Sequence, residues 1–134
     1  MKYAYTILYV ENVKDTVEFY ERAFGFTRKF ITPENDYGEL ASGDTTLAFA
    51  SVGLGETNLS SGFAQSSRTQ KPFGVELVFI TDHIEADFSK ALAAGATEYE
   101  KIVEKPWGQQ VGYVRDKNGF LIEIATPVST PSTE

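Results

Sequence analysis

The sequence predicts an α+β fold made of two copies of one βαβββ module. Two strand-like segments, residues 4–11 and 74–81, resemble each other, and each precedes a helical run that ends in glycine. Five pairs of similar residues share one spacing of 70 positions: Val10 and Ile80, Asn12 and Asp82, Ala23 and Ala93, Gly25 and Gly95, and Tyr37-Gly38 and Trp107-Gly108. A repeat in one register indicates an internal duplication of a supersecondary unit.

The first module begins with an alternating segment, residues 2–10, whose aromatic and β-branched side chains are typical of a strand. A helix is predicted next, because Asn12 or Asp15 can cap it and apolar residues recur at helical spacing up to Gly25. Three strands complete the module, over residues 26–31, 38–41 and 45–50.

The second module repeats this order. A strand over residues 74–81 precedes a helix over residues 84–94, and three further strands follow over residues 97–104, 109–115 and 120–126. The chain is therefore divided into one domain, residues 1–128, and a flexible tail, residues 129–134. Within the domain, module one spans residues 1–51, the linker 52–73 and module two 74–128. The linker is rich in Gly, Ser, Thr and Gln, and it either connects the modules or overhangs a pocket.

Composition excludes several classes of function. The 134 residues carry a formal net charge of −7, which disfavours a nucleic-acid partner because phosphate binding needs a basic surface. The absence of cysteine excludes disulfides, thiolate metal sites and a cysteine nucleophile. No apolar run approaches the roughly 18 residues that span a membrane, and the N-terminus lacks signal-peptide features. We expect a cytoplasmic protein without a membrane partner.

Two motifs resemble a known family. The segment EFYERAFGF in the first helix and PWGQQVGYVRDKNGFLIEI near the C-terminus are similar to sequences of the vicinal oxygen chelate superfamily. This superfamily includes glyoxalase I, extradiol dioxygenases, fosfomycin-resistance enzymes and bleomycin-resistance proteins, and the resemblance is closest to the glyoxalase and bleomycin-resistance branch. It implies a glyoxalase-like fold, in which the modules form a curved mixed sheet around a shared cavity, and it implies a homodimer. Pairing of the modules within one chain or across the dimer stays open.

The resemblance also implies which side chains face the cavity. Tyr5, Ile7 and Tyr9 are expected there in module one. With the spacing of 70, Val75, Leu77 and Phe79 are expected there in module two.

Enzymes of this superfamily hold one divalent metal with four side chains from the first and last strands of each module. Those places correspond to Tyr5, Ala48, Val75 and Glu123, and of these only Glu123 is a usual ligand. A register shifted by one residue would put Glu76 in the third place, but it would turn the whole strand over. The single histidine, His83, is predicted at a helix start on the surface. We therefore predict no metal and no other cofactor.

The remaining candidate site is aromatic. Trp107 either lies over a planar ligand or closes the end of the sheet. Phe49 and Phe79 are expected to be core residues more than ligand contacts. Glu123 either accepts hydrogen bonds or pairs with a ligand cation. The predicted ligand-binding residues are Tyr5, Tyr9, Phe49, Phe79, Trp107, Tyr113 and Glu123.

These features favour a metal-free protein of the bleomycin-resistance type that binds a small cationic or aromatic molecule, with antibiotic resistance as its role and no catalytic residues. The alternative is a metal-dependent glyoxalase-type lyase or dioxygenase that holds one divalent ion at an atypical site. A third possibility is a dimeric interaction module whose cavity is filled by its own side chains.

Overall fold

The α+β fold is confirmed in the computed structural model, which describes residues 1–128. Each module forms a four-stranded mixed sheet with one long helix, and a short extra helix follows module one. The elements of module one are β1 (Thr6–Val10), α1 (Val13–Phe24), β2 (Thr27–Ile31), β3 (Tyr37–Ser42) and β4 (Thr45–Ser51), followed by α2 (Val52–Asn58). Those of module two are β5 (Glu76–Ile80), α3 (Ile84–Ala94), β6 (Thr97–Glu104), β7 (Gln110–Arg115) and β8 (Leu121–Ala125). The predicted tail, residues 129–134, lies outside the described residues.

The two sheets have the same topology. Their strand orders are β1-β4-β3-β2 and β5-β8-β7-β6. In each sheet the first strand of the module pairs in parallel with the last strand, and the other neighbours are antiparallel. The two sheets are separate and do not close into one barrel. Within each sheet, the parallel pairing places the first and last strands of the module side by side.

The helices cover one face of each sheet, which we call the inner face, and leave the opposite, outer face uncovered by α1 and α3. Leu8, Val10 and Phe49 point to the inner face of the first sheet, and Ile122 and Ile124 to that of the second. These side chains belong to one continuous core that joins both modules. Burial of this apolar surface is the main force that holds the modules together.

Tyr20 on α1 connects the modules directly. Its ring packs against Phe49 of β4, with 4.9 Å between centroids, and lies 6.4 Å from the ring of Phe79 of β5. Its hydroxyl group donates a 2.5 Å hydrogen bond to the buried carboxylate of Asp116. Asp116 also accepts hydrogen bonds from the backbone N–H groups of Asn118 and Phe120, each 2.9 Å long. Burial raises the pKa of Asp116, and these hydrogen bonds oppose that shift.

The predicted orientation of β5 was wrong. Leu77 and Phe79 pack against the core, whereas Val78 and Ile80 are exposed on the outer face. The cause is helix length, because α1 has 12 residues and α3 has 11. Equivalent residues of the two modules are therefore 71 positions apart up to the helix starts, Val13 and Ile84. They are 70 positions apart at the glycines that end the helices, Gly25 and Gly95.

The predicted linker contains a helix that the sequence analysis missed. The Ser51 hydroxyl group accepts a hydrogen bond from the backbone N–H of Leu54 and caps α2. Phe63, further along the linker, stacks on Tyr9 with 4.6 Å between ring centroids. The linker therefore covers the end of β1 on the outer face of the first sheet.

Candidate functional site

Two carboxylates lie together on the outer face of module two. In the parallel pair of β5 and β8, Val78 is opposite Glu123 and Glu76 is two residues earlier on the same face. Glu76 and Glu123 are therefore neighbours on this face. Tyr113, directly opposite Glu123 on β7, donates a 3.0 Å hydrogen bond to Glu123 Oε1. Glu76, Glu123 and Tyr113 form what we call the carboxylate cluster.

The electrostatics of this cluster follow from its geometry. Partial desolvation, the hydrogen bond with Glu123 and repulsion by its charge raise the pKa of Glu76. Desolvation and the hydrogen bond to Glu123 raise the pKa of Tyr113 to about 12. The only ion pairs within residues 1–128 are Arg28–Glu21 and Lys29–Glu39, so no basic side chain neutralises the cluster there.

Module one has a matching cluster with a different charge. Tyr37 donates a 2.6 Å hydrogen bond to Glu39 Oε2, and Lys29 Nζ lies 3.3 Å from Glu39 Oε1. Desolvation, followed by the hydrogen bonds with Glu39 and Tyr5, raises the pKa of Tyr37. Because Lys29 neutralises Glu39, this cluster is aromatic and close to neutral.

A groove of about 300 Å³ separates the first residues of β1 from those of β5. Tyr5 of module one and Glu76 of the carboxylate cluster both line it. Its other lining residues are Tyr3, Ala4, Thr6, Phe26, Ser42, Thr45, Thr46, Leu47, Leu77, Val78 and Phe79. The groove thus has aromatic and apolar walls with an acidic group on one side, as small-molecule sites commonly do.

The predicted site residues do not all meet. Tyr5 lines the groove, and Tyr113 and Glu123 belong to the carboxylate cluster. Tyr9 is stacked under Phe63, and Phe49 is completely buried in the core.

Phe79 and Trp107, two further predicted ligand-binding residues, lie in different places. Phe79 contributes to the groove wall, yet its ring packs edge-on against Phe24 and Phe26 on the core side. Trp107 is 64% exposed in the turn between β6 and β7, and its indole N–H donates to Gln109 Oε1 at 2.9 Å. Trp107 therefore neither plugs the sheet nor lines the groove.

Glu76 is the residue that the sequence analysis discounted. With the corrected spacing of 71, Glu76 occupies the place in β5 that Tyr5 occupies before β1. The pairings agree, because Ile7 is opposite Ala48 and Val78 is opposite Glu123. The four places implied by the family resemblance are thus Tyr5, Ala48, Glu76 and Glu123.

These four side chains do not fit a four-ligand metal site. Ala48 has no donor atom, and Tyr5 offers only a phenol, which is not a usual ligand for a divalent metal. Within residues 1–128, no group of three His, Cys, Asp or Glu side chains is arranged to hold a metal ion. His83 lies at the N-terminus of α3, where its backbone N–H donates to Thr81 Oγ1.

Comparisons with known proteins agree with this architecture. A family model described as the Glyoxalase/Bleomycin resistance protein/Dioxygenase superfamily matches residues 2–124. A search of curated proteins by sequence finds no match. No helix within residues 1–128 has the length and apolar character needed to cross a membrane.

Three solved structures illustrate the similarity. A glyoxalase-related enzyme from Fulvimarina pelagi is 20% identical with a TM-score of 0.80, over 95% of this chain and 88% of that chain. A glyoxalase/bleomycin resistance protein/dioxygenase family enzyme from Burkholderia phytofirmans PsJN is 20% identical with a TM-score of 0.78, over 92% and 96%. A lactoylglutathione lyase from Agrobacterium tumefaciens is 16% identical with a TM-score of 0.69, over 93% and 92%. At these identities the similarity establishes the fold and does not extend to activity.

Proposed function

Because the chain belongs to the Glyoxalase/Bleomycin resistance protein/Dioxygenase superfamily, we propose that it is a metal-free binding protein for a small aromatic cation. The observation that carries this proposal is the carboxylate cluster, in which Glu76 lines the aromatic groove, Glu123 lies beside Glu76, and neither has a basic partner within residues 1–128. Capture of a basic drug, as in bleomycin resistance, is the proposed role, and the cytoplasm is the proposed location.

The groove orients such a ligand. A cationic group placed beside Glu76 gains a second carboxylate partner in Glu123, and its binding favours the ionised form of Glu76. The aromatic part then lies along Tyr3, Tyr5 and Phe26, where ring faces attract a nearby positive charge. No covalent step is required of the protein.

We also propose that the protein works as a homodimer. Large apolar side chains are exposed on the outer faces of both sheets, among them Ile7, Phe30, Val78, Ile80 and Val103. A second copy of the chain would bury these side chains, and exposed apolar patches of this kind mark interaction surfaces.

The experiment compares two ligands of the same shape. Naphthylmethylamine carries an ammonium group at neutral pH, whereas naphthylmethanol is neutral. Isothermal titration calorimetry should show saturable binding of the amine. The affinity for the amine should be at least about tenfold higher than the affinity for the alcohol. Glu76→Gln should remove most of this preference. Glu34→Gln, which removes the same charge from an exposed turn, should leave it unchanged. Equal affinities for the amine and the alcohol would contradict the proposal.

A metal-dependent lyase or dioxygenase is the second candidate, and the position of Glu76 beside Glu123 is the observation that favours it. Two carboxylates still fall short of the four-ligand set. Elemental analysis after incubation with Zn²⁺, Ni²⁺, Mn²⁺ and Fe²⁺ separates the candidates. One bound equivalent that is lost in Glu123→Ala would support the enzyme.

A further inference from the structure

A second cleft, of about 550 Å³, lies where the linker meets β6 and β7. Its lining residues are Arg68, Thr69, Thr97, Glu98, Tyr99 and Arg115. We call it the arginine cleft. It shares no residue with the groove between β1 and β5, and its volume is within the range of small-molecule sites.

Arg115 is a buried cation in this cleft. Only 9% of its surface is exposed, and it contacts backbone carbonyl groups instead of carboxylates. Its Nε and Nη2 both donate to Gly119 O, at 3.0 and 2.8 Å, and Nη2 also donates to Ser67 O at 2.8 Å. Nη1 makes one long bond of 3.4 Å to Arg68 O. Since a guanidinium group has five N–H donors, one donor on Nη1 remains.

Arg68 places a second guanidinium group in the same cleft. Its Nη2 makes only a long contact, 3.5 Å, with Thr97 Oγ1, and Thr97 is directly opposite Arg115 in the pairing of β6 with β7. Neither arginine takes part in an ion pair within residues 1–128. Arg68 is exposed to solvent, whereas Arg115 is buried, and backbone carbonyl groups alone compensate the buried charge of Arg115.

The rest of the cleft limits the ligand. Tyr99, which is partly exposed, offers a ring for an apolar group. Thr69 and Thr97 offer hydroxyl groups. Glu98 also lines the cleft, and its negative charge disfavours a ligand with more than one negative charge.

We propose that the arginine cleft binds a small organic monocarboxylate. The carboxylate lies against the Arg68 and Arg115 guanidinium groups, which match its two oxygens, and the apolar body packs on Tyr99. Arg115 is held in position by the backbone of the linker and of the turn after β7, so binding also fixes the linker at residues 67–68.

The test uses benzoate and its neutral analogue benzamide, followed by NMR of the backbone and the arginine Nε–H groups. Benzoate should give saturable shifts at Arg68, Thr97 and Tyr99, with a dissociation constant on the order of 1 mM or below. Benzamide should not. Absence of saturation by benzoate, or equal shifts with benzamide, would overturn the proposal.

Three variants sharpen the result, and none alters buried Arg115, whose loss would free the linker. Arg68→Gln should weaken benzoate binding about tenfold. Glu98→Gln should tighten it by roughly twofold to fivefold, because a repulsive charge is removed. Arg22→Gln, which like Arg68→Gln removes one positive charge but at an exposed site on α1, should not change benzoate binding. If inorganic phosphate binds as tightly as benzoate, the assignment of an organic ligand is wrong.

Discussion

Glu76 shows how one side chain changes the chemistry of the outer face. A single carboxylate opposite Tyr113 is satisfied by one hydrogen bond. Glu76 adds a second carboxylate beside Glu123. Its pKa is raised by partial desolvation, by the hydrogen bond with Glu123 and by the repulsion between the two charges. A ligand cation relieves this repulsion, which is the physical reason for assigning one to the groove.

The raised pKa of Glu76 makes stability depend on pH. A carboxyl group whose pKa is higher in the folded than in the unfolded state favours folding while it is protonated. This contribution is complete below the unfolded value and is lost as the pH rises through the folded value. Glu76→Gln should therefore abolish that decline and should melt at a higher temperature than wild type at a pH of about 8. The melting temperature of each protein is measured by thermal unfolding across the pH range, and Glu34→Gln serves as the control. A decline of the same size in Glu76→Gln would contradict the assignment.

At the scale of elements, most of the fold could be predicted from local patterns. The alternation in residues 2–10, the helical spacing before Gly25 and the turn residues of each module were sufficient for α1, α3 and the eight strands. The orientation of β5 could not be predicted from a constant spacing, because one residue fewer in α3 reverses the strand. Aligning the helix starts, Val13 with Ile84, would have revealed Glu76.

Local sequence patterns predict helix α2 and the burial of Arg115 less well than they predict the other elements. The segment Val52–Asn58 contains two glycines and no apolar periodicity, so only the capping Ser51 indicated a helix. Arg115 lies in an otherwise ordinary strand, and its burial depends on linker carbonyl groups far away in sequence. Such contacts are set by tertiary packing and leave no local pattern.

Gly55 tests the packing of α2 on β1. A Cβ at this position would lie 2.8 Å from the rings of both Phe63 and Tyr9. Gly55→Ala should lower the free energy of unfolding by about 1–3 kcal/mol, because the two rings must separate. Gly53 lies in the same helix, and a Cβ there would make only an ordinary contact with Ser51 Oγ, at 3.9 Å. Gly53→Ala should raise the free energy of unfolding by roughly 0.5–1 kcal/mol. Urea denaturation measures both, and equal effects would show that α2 does not pack as described.

On the scale of the whole molecule, the shared core joins the two modules. The ring of Tyr20 contacts the first sheet, and its hydroxyl group bonds to Asp116 of the second module. Asn118 Nδ2 donates to Thr16 Oγ1 on α1 and adds a polar link between the same parts. With the inner faces occupied in this way, the outer faces are the surfaces left for partners.

The proposed homodimer is tested on these outer faces. Ile80 is 54% exposed on β5, and Ile80→Lys should convert a dimer into a monomer, because burying a lysine in an apolar interface is unfavourable. Ser89→Lys adds the same charge at an exposed position of α3, on the side of the sheet opposite the outer face, and should leave the dimer intact. Analytical ultracentrifugation gives the mass in each case. A wild-type monomer at high concentration would rule out the dimer.

The most direct measurement is a pH titration of the side-chain carboxyl signal of Glu76 by NMR, with and without naphthylmethylamine. In the free protein, we expect the pKa of Glu76 to lie above the ordinary glutamate value and to return toward that value in Glu123→Gln. Saturation with the amine should lower the pKa of Glu76 in the wild-type protein, because the cation replaces the proton. An ordinary pKa in the free protein that does not change with the amine would contradict both the carboxylate cluster and the cation site.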